Sequence, residues 1–359
     1  MWLAGGWTDY ELLDAGYGEK LERWGSYILR RPDPQALWPA DKESAQWRAA
    51  DAVYRRSASG GGHWDFIGRL PDSWEIGYRG LRFKIRLMPF KHTGIFPEQA
   101  VNWDWLAAKL GARAAGESAV GRGVGGESAV GKGVGGESAV GRRMNGESAV
   151  CRSTGGENAA SKGTGGEIAL SIGTGGENAG GVRATRVTRV LNLFAYTGAS
   201  TAAAASAGAF VCHVDAARGI VSQAKENVAL SCTSNNNARY IIDDVLKFVS
   251  REKRRGSRYD AVIMDPPAYG RGPGGELWKA ETHLCDAVEL CADLLADEPL
   301  FFIVSTYAAG VSPTSVENIL KAAIGSRRGG HTESAELGLP VKRGNMALPC
   351  GCSARWERD

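Results

Sequence analysis

The stretch Val190-Leu191-Asn192-Leu193-Phe194-Ala195-Tyr196-Thr197-Gly198-Ala199-Ser200-Thr201 constrains this chain more than any other. Val190, Leu191, Leu193 and Phe194 form a short apolar run, as a strand buried on both faces does. Thr197-Gly198 interrupts the run, and Ser200 to Ala207 reads as a helix of small residues. Strand, tight glycine turn and helix bring free backbone N–H groups and a helix N-terminus to a ligand. Two further strand ends carry polar chemistry. Phe210 to Val214 runs into Asp215, an acid placed to accept hydrogen bonds from ribose hydroxyls. Ala261-Val262-Ile263-Met264 runs into Asp265-Pro266-Pro267-Ala268-Tyr269. Three polar strand tips imply one site along the edge of a parallel sheet.

From Thr185 onward the apolar runs alternate with helical patterns, which predicts a parallel sheet with helices on both faces. Strands are expected near 187–194, 210–215, 238–242, 260–265 and 300–305, and helices near 200–207, 219–230, 244–252, 280–296 and 314–324. The end differs. Ser334 to Leu337 and Leu348 to Trp356 read as two strands with no helix between them, so they pair antiparallel.

The runs Asn192 to Gly198, His213 to Ala216, Asp243 to Phe248 and Asp265 to Tyr269 together resemble class I S-adenosylmethionine-dependent methyltransferases. Within that class the chain looks most like the group related to large-subunit ribosomal RNA cytosine methyltransferases. The resemblance is good over residues 183 to 359 and weaker around Lys91 to Gln99 and in the first forty residues. It implies an α/β fold: a Rossmann-like, mostly parallel sheet with a C-terminal antiparallel hairpin, S-adenosylmethionine as cofactor, and RNA, by analogy ribosomal RNA, as partner. Asn192, Phe194, Ala195, Tyr196, Thr197, Gly198, Asp215 and Asp244 are the expected cofactor contacts. Phe96 and Gln99 join them through the Gly-x-Phe-x-x-Gln pattern that borders the cofactor in the family. Asp244 would face the adenine amino group, while Asp243 would cap the following helix.

Asp265, Pro266, Pro267 and Tyr269 are the expected catalytic corner. Two prolines hold an extended backbone that aims a carboxylate or carbonyl at the acceptor, and Tyr269 offers a ring for stacking. The cytosine-C5 members carry a cysteine nucleophile just after the fifth strand, but here that place reads Val304-Ser305-Thr306-Tyr307. Direct transfer without a cysteine adduct is therefore expected. Cys285 and Cys291 of the preceding helix are expected to face the core.

Rival readings stay open. A nicotinamide oxidoreductase would want more glycines than Gly198 for its pyrophosphate. A methyltransferase acting on a protein or small molecule, and an RNA-binding module without catalysis, are the other two.

The 359 residues suit an N-terminal arm and small antiparallel β domain over 1–110, an insertion over 111–182 and the methyltransferase domain over 183–359. Met1 to Pro39 reads as an irregular aromatic arm. Residues 63–88 read as a small antiparallel sheet, and Val101 to Leu110 as a helix with Asn102 as its cap. After them, Gly-Glu recurs every ten residues from Gly116 to Gly176, with residues too small to offset ordering entropy. A disordered low-complexity insertion is expected, its ends near Gly111 and Val182 close together. The net charge of +3 does not by itself argue for nucleic acid. The seven cysteines show no CxxC pair, and no metal site is expected. No apolar run reaches about eighteen residues, so no membrane partner is expected. The first residues lack a basic-then-apolar signal layout, which with unpaired cysteines suggests the cytoplasm. The sequence leaves the oligomeric state unknown.

Overall fold

The computed structural model describes residues 1–57, 61–122, 186–232, 237–271, 275 and 277–359. Met1–Glu117 and Thr185–Asp359 form one compact unit, and Ser118–Ala184 a second. Beyond Arg122 the ten-residue repeat and its expected disorder lie outside the described residues.

In chain order the first unit opens with β1 (Trp2–Leu3), β2 (Tyr10–Gly16), β3 (Glu19–Trp24), β4 (Tyr27–Pro32), α1 (Ala45–Arg48), β5 (Ala52–Arg56) and β6 (Gly62–Phe66). The hairpin β7 (Trp74–Tyr78) and β8 (Leu81–Ile85) and the long α2 (Ala100–Arg122) follow. Then come β9 (Arg189–Leu193), α3 (Ala199–Ser206), β10 (Phe210–Asp215), α4 (Arg218–Ser231), β11 (Ala238–Ile242), α5 (Val245–Arg254) and β12 (Ala261–Met264). A short hairpin of β13 (Tyr269–Arg271) and β14 (Leu277–Lys279) leads to α6 (Ala280–Ala292) and β15 (Phe301–Thr306). The chain continues through α7 (Pro313–Leu320), α8 (Ser326–Arg328), β16 (His331–Val341) and β17 (Met346–Glu357).

One large sheet runs β11-β10-β9-β12-β15-β17-β16-β2-β3-β4-β5-β6. Its first five strands are parallel, and β17 then reverses against β15 with Thr306 opposite Cys352. The α/β architecture with a reversed terminal hairpin is as expected. Alternation explains the burial of the parallel strands. Val190 packs on one face with Val211, Ile263 and Ile303, and Leu191 packs on the other with Val262 and Phe302. Filling both faces in this way contributes about 1.5–3 kcal/mol for each large apolar side chain.

The N-terminal expectations need correction. Met1 to Pro39 is no irregular arm: β2, β3 and β4 form an antiparallel meander, joined to β16 through the pair Val341 and Leu12. Its strands hide charge as well as apolar groups, so no clean alternation marks them. Glu22 is 0 % exposed and takes both arms of Arg31, Nε at 2.6 Å and Nη2 at 2.7 Å. Asp14 is buried with its carboxylate accepting from Trp47 Nε1. Residues 63–88 do not form one sheet, since β6 pairs with β5 in the large sheet while β7 and β8 pair separately. Asn102 does not cap α2, which begins at Ala100. Cys291 is buried as expected, whereas Cys285 is exposed.

Candidate active site

Three strand ends of the parallel half meet at one cleft. After β9 the chain turns through Phe194 (φ 54°), Tyr196 (φ 48°) and Gly198 (φ 79°), left-handed conformations that cost most at bulky residues. Surrounding bonds hold them. The Tyr196 amide donates to Asp215 Oδ2 at 2.9 Å, and the Ala195 amide to the Val214 carbonyl at 3.1 Å. The glycine is required, because a Cβ at Gly198 would come within 2.9 Å of the Ala224 Cβ. Asn227 on α4 donates to the Thr197 carbonyl at 2.8 Å and accepts from the Lys84 amide at 2.8 Å. The glycine loop and the β7–β8 hairpin are thereby tied through one side chain.

A cleft of about 400 Å³ opens at these ends, within the usual range for small-molecule sites. Phe96, Phe194, Tyr196, Asp215, Asp244, Asp265, Pro266 and Pro267 line it. Other expected residues do not reach it. Asn192 is buried and donates to Thr201 Oγ1, which in turn contacts His213 Nδ1; burial takes that imidazole down to about 3. Thr197 turns its hydroxyl to the Gly94 carbonyl. Ala195 and Gly198 are loop backbone rather than wall. Gln99 stands behind the cleft, and Tyr269 is exposed at a neighbouring cavity. Asp244, not Asp243, caps α5 by accepting from the Lys247 amide at 2.9 Å, while Asp243 pairs with Arg251.

The structure adds wall residues that sequence reasoning missed: His92, Leu277, Trp278, His283 and Tyr307. Trp278 belongs to β14 and donates to the Pro267 carbonyl at 2.6 Å while its ring meets Phe194. The loop between β13 and β14 lies partly outside the described residues.

Electrostatics single out Asp265. Its Oδ1 is buried without a partner, and Oδ2 accepts from Gln99 Nε2 at 3.3 Å. Burial, and then the nearby Glu98, push its carboxyl up to about 7. Gln99 also donates to the Tyr307 hydroxyl at 3.0 Å. Its own orientation is fixed from behind: Asn102 donates to Gln99 Oε1 at 2.7 Å, and Arg355 Nε donates to Asn102 Oδ1 at 2.9 Å. Asp215 differs. Burial raises its carboxyl, but the amides of Ala217 and Tyr196 work against that rise.

The residues fit S-adenosylmethionine. Asp215 offers a partly buried acceptor for a diol, Val245 and Leu246 an apolar floor, and Phe194 and Trp278 aromatic walls. The single-glycine turn does not provide the opening a pyrophosphate needs.

Comparison with known proteins agrees with this geometry. A family described as S-adenosylmethionine-dependent methyltransferase matches residues 171–276. Ribosomal RNA large subunit methyltransferase I from Enterobacter sp. (strain 638) is 35% identical over 82 residues, 23% of this chain and 21% of that protein. The same-named protein of Salmonella arizonae is 37% identical over 82 residues, 23% of this chain and 20% of its own length. The matched stretch thus spans about a fifth of these relatives. A methyltransferase structure from Agrobacterium tumefaciens superposes with a TM-score of 0.73 at 29% identity, covering 99% of this chain and 92% of its own. A methyltransferase solved with S-adenosylhomocysteine has a TM-score of 0.61 at 15% identity, covering 98% and 76%, which speaks for the fold.

Fold and site together resemble those of class I S-adenosylmethionine-dependent methyltransferases. Within that class the chain is related to ribosomal RNA methyltransferases.

Proposed function

We propose that the chain methylates a base of RNA, by analogy ribosomal RNA, through direct transfer without a cysteine adduct. The observation that carries this reading is the partnerless Oδ1 of Asp265 at the proline corner of the cleft. When bound, S-adenosylmethionine supplies a methyl group on a positively charged sulfur. Asp215 would hold its ribose, Val245, Leu246 and Asp244 its adenine, and Phe194 and Tyr196 its flanks. Pro266 and Pro267 keep the Asp265 carboxyl fixed, and Gln99 holds one of its oxygens. The free oxygen would orient an acceptor nitrogen and take the proton that nitrogen releases as its lone pair binds the methyl carbon and the carbon–sulfur bond breaks, its electron pair leaving with the sulfur as a neutral thioether. A carboxyl near 7 suits that exchange in neutral solution.

Cysteine chemistry is poorly served. Cys350 and Cys352, on the strand facing β15, are both pushed up by burial, Cys352 to about 11, so little thiolate forms. Among the described residues no helix is long and apolar enough to cross a membrane, and a cytoplasmic place is part of this proposal.

Equilibrium binding of S-adenosylmethionine tests the cofactor assignment. Asp215→Ala should weaken it about 10- to 100-fold, as for a lost hydrogen bond to a charged group; unchanged affinity would put the site elsewhere. Tritiated methyl should enter ribosomal RNA in isolated subunits rather than protein extract or small metabolites, and Asp265→Asn should abolish that label. Label confined to protein or metabolites would refute the RNA substrate.

A further inference from the structure

A second cavity, about 640 Å³ in volume, shares His92, Phe96, Pro267 and Tyr307 with the cofactor cleft. Its remaining wall includes residues of the β-meander and of the segment before α2, so it belongs to both halves of the sheet. Two kinds of chemistry line it. The largely buried Glu98 lines it, burial raises its carboxyl, and Asp265 lies close enough to feel that carboxyl. A carboxyl whose charged form burial disfavours can donate as well as accept a hydrogen bond at an uncharged polar edge. Tyr307 and Phe96 add flat apolar surface, with ring centres 5.5 Å apart.

The other part of the wall is cationic, and its cations are unequal. Arg31 is taken by Glu22 at 2.6 Å, and Lys20 lies 3.2 Å from Asp33. Lys91 makes no ion pair with a described residue. Burial, then Lys20, lowers its ammonium, and Arg31 and Arg56 push the same way against the attraction of Asp33. Arg56 is itself exposed. A cation desolvated among other cations is held for an anion that arrives from outside.

We infer that this cavity is the acceptor chamber and receives one nucleotide, its base toward Pro267 and Glu98 and its phosphate at Lys91. The inference rests on the base-methyltransferase reading and adds the recognition of the phosphate by the N-terminal half of the chain. A peptide side chain would bring the polar edge without the fixed anion. Lys91 lines this cavity and not the cofactor cleft, so the two sites are separable.

The test uses the full chain saturated with S-adenosylhomocysteine. Each of four ribonucleoside 3′,5′-bisphosphates is titrated beside its nucleoside, in wild type and Lys91→Ala. At least one bisphosphate should bind the wild type about tenfold tighter than its nucleoside, the worth of one charge-assisted contact. That preference should vanish in Lys91→Ala, with S-adenosylhomocysteine affinity unchanged. No preference in the wild type, a preference that survives the substitution, or no binding of any probe overturns the inference. Failure of S-adenosylhomocysteine itself to bind overturns the methyltransferase reading, and this inference with it.

Discussion

Glu22 in the antiparallel half of the sheet is fully buried, and Asp265 at the end of the parallel half has its Oδ1 buried; the two carboxyls are in opposite states. Glu22 is surrounded by cations. Burial alone would raise its carboxyl, but Arg31 and Lys20 bring it down to about 2. Asp265 has an amide on one oxygen, nothing on the other and Glu98 nearby, so burial takes it up to about 7. A buried charge with every contact filled holds a fold; one left incomplete is kept for a partner. The contrast separates the meander's structural acid from the corner's reactive one.

The largest effect should come from removing Glu22's partner. Arg31→Met strands a buried carboxylate and should cost about 3–5 kcal/mol in urea unfolding at neutral pH. A loss under about 1 kcal/mol would mean that the meander does not depend on this pair.

A sharper test is the sign of the pH dependence. Glu22 has a lowered folded value, so its contribution is present above about pH 4.5 and fades as the pH falls through about 2. Asp265 has a raised folded value, so its contribution is complete below about pH 3.8 and is lost as the pH rises through about 7. Asp265→Asn should therefore gain stability relative to wild type between pH 4 and 7, by up to about 4 kcal/mol. Parallel stability curves for the two proteins over that range would contradict the orphaned state of Asp265.

The smallest expected change is at Asn102. Asn102→Ala removes the group that orients Gln99 and leaves Arg355 Nε without its acceptor, costing about 1–2 kcal/mol. With Gln99 free to turn, the pH midpoint of methyl transfer should move upward, because the carboxylate loses a donor. A purely structural asparagine would lower stability and leave that midpoint in place.

The parallel half was largely legible. Val190, Leu191, Val262 and Ile263 are apolar for either face, and Asp215 and Asp265 follow such runs directly. The site was legible only where short-range pattern decides it. Asn192 looked available at a strand end, but Thr201, nine residues on, captures its amide. His92, Tyr307 and Trp278 reach the cleft from three remote segments, and no local spacing announces that meeting. The meander was obscure because Glu22 and Arg31 look like surface residues until their pairing across β3 and β4 is known.

Asn227 has a consequence for shortened forms of this chain. Its carboxamide spends its donor on the turn at Thr197 and its acceptor on the strand at Lys84. Deleting Trp74–Ile85 would leave that group free to rotate, and the loop carrying Tyr196 would lose its fastening. A deletion more than a hundred residues away in sequence would then present itself as a cofactor-affinity defect.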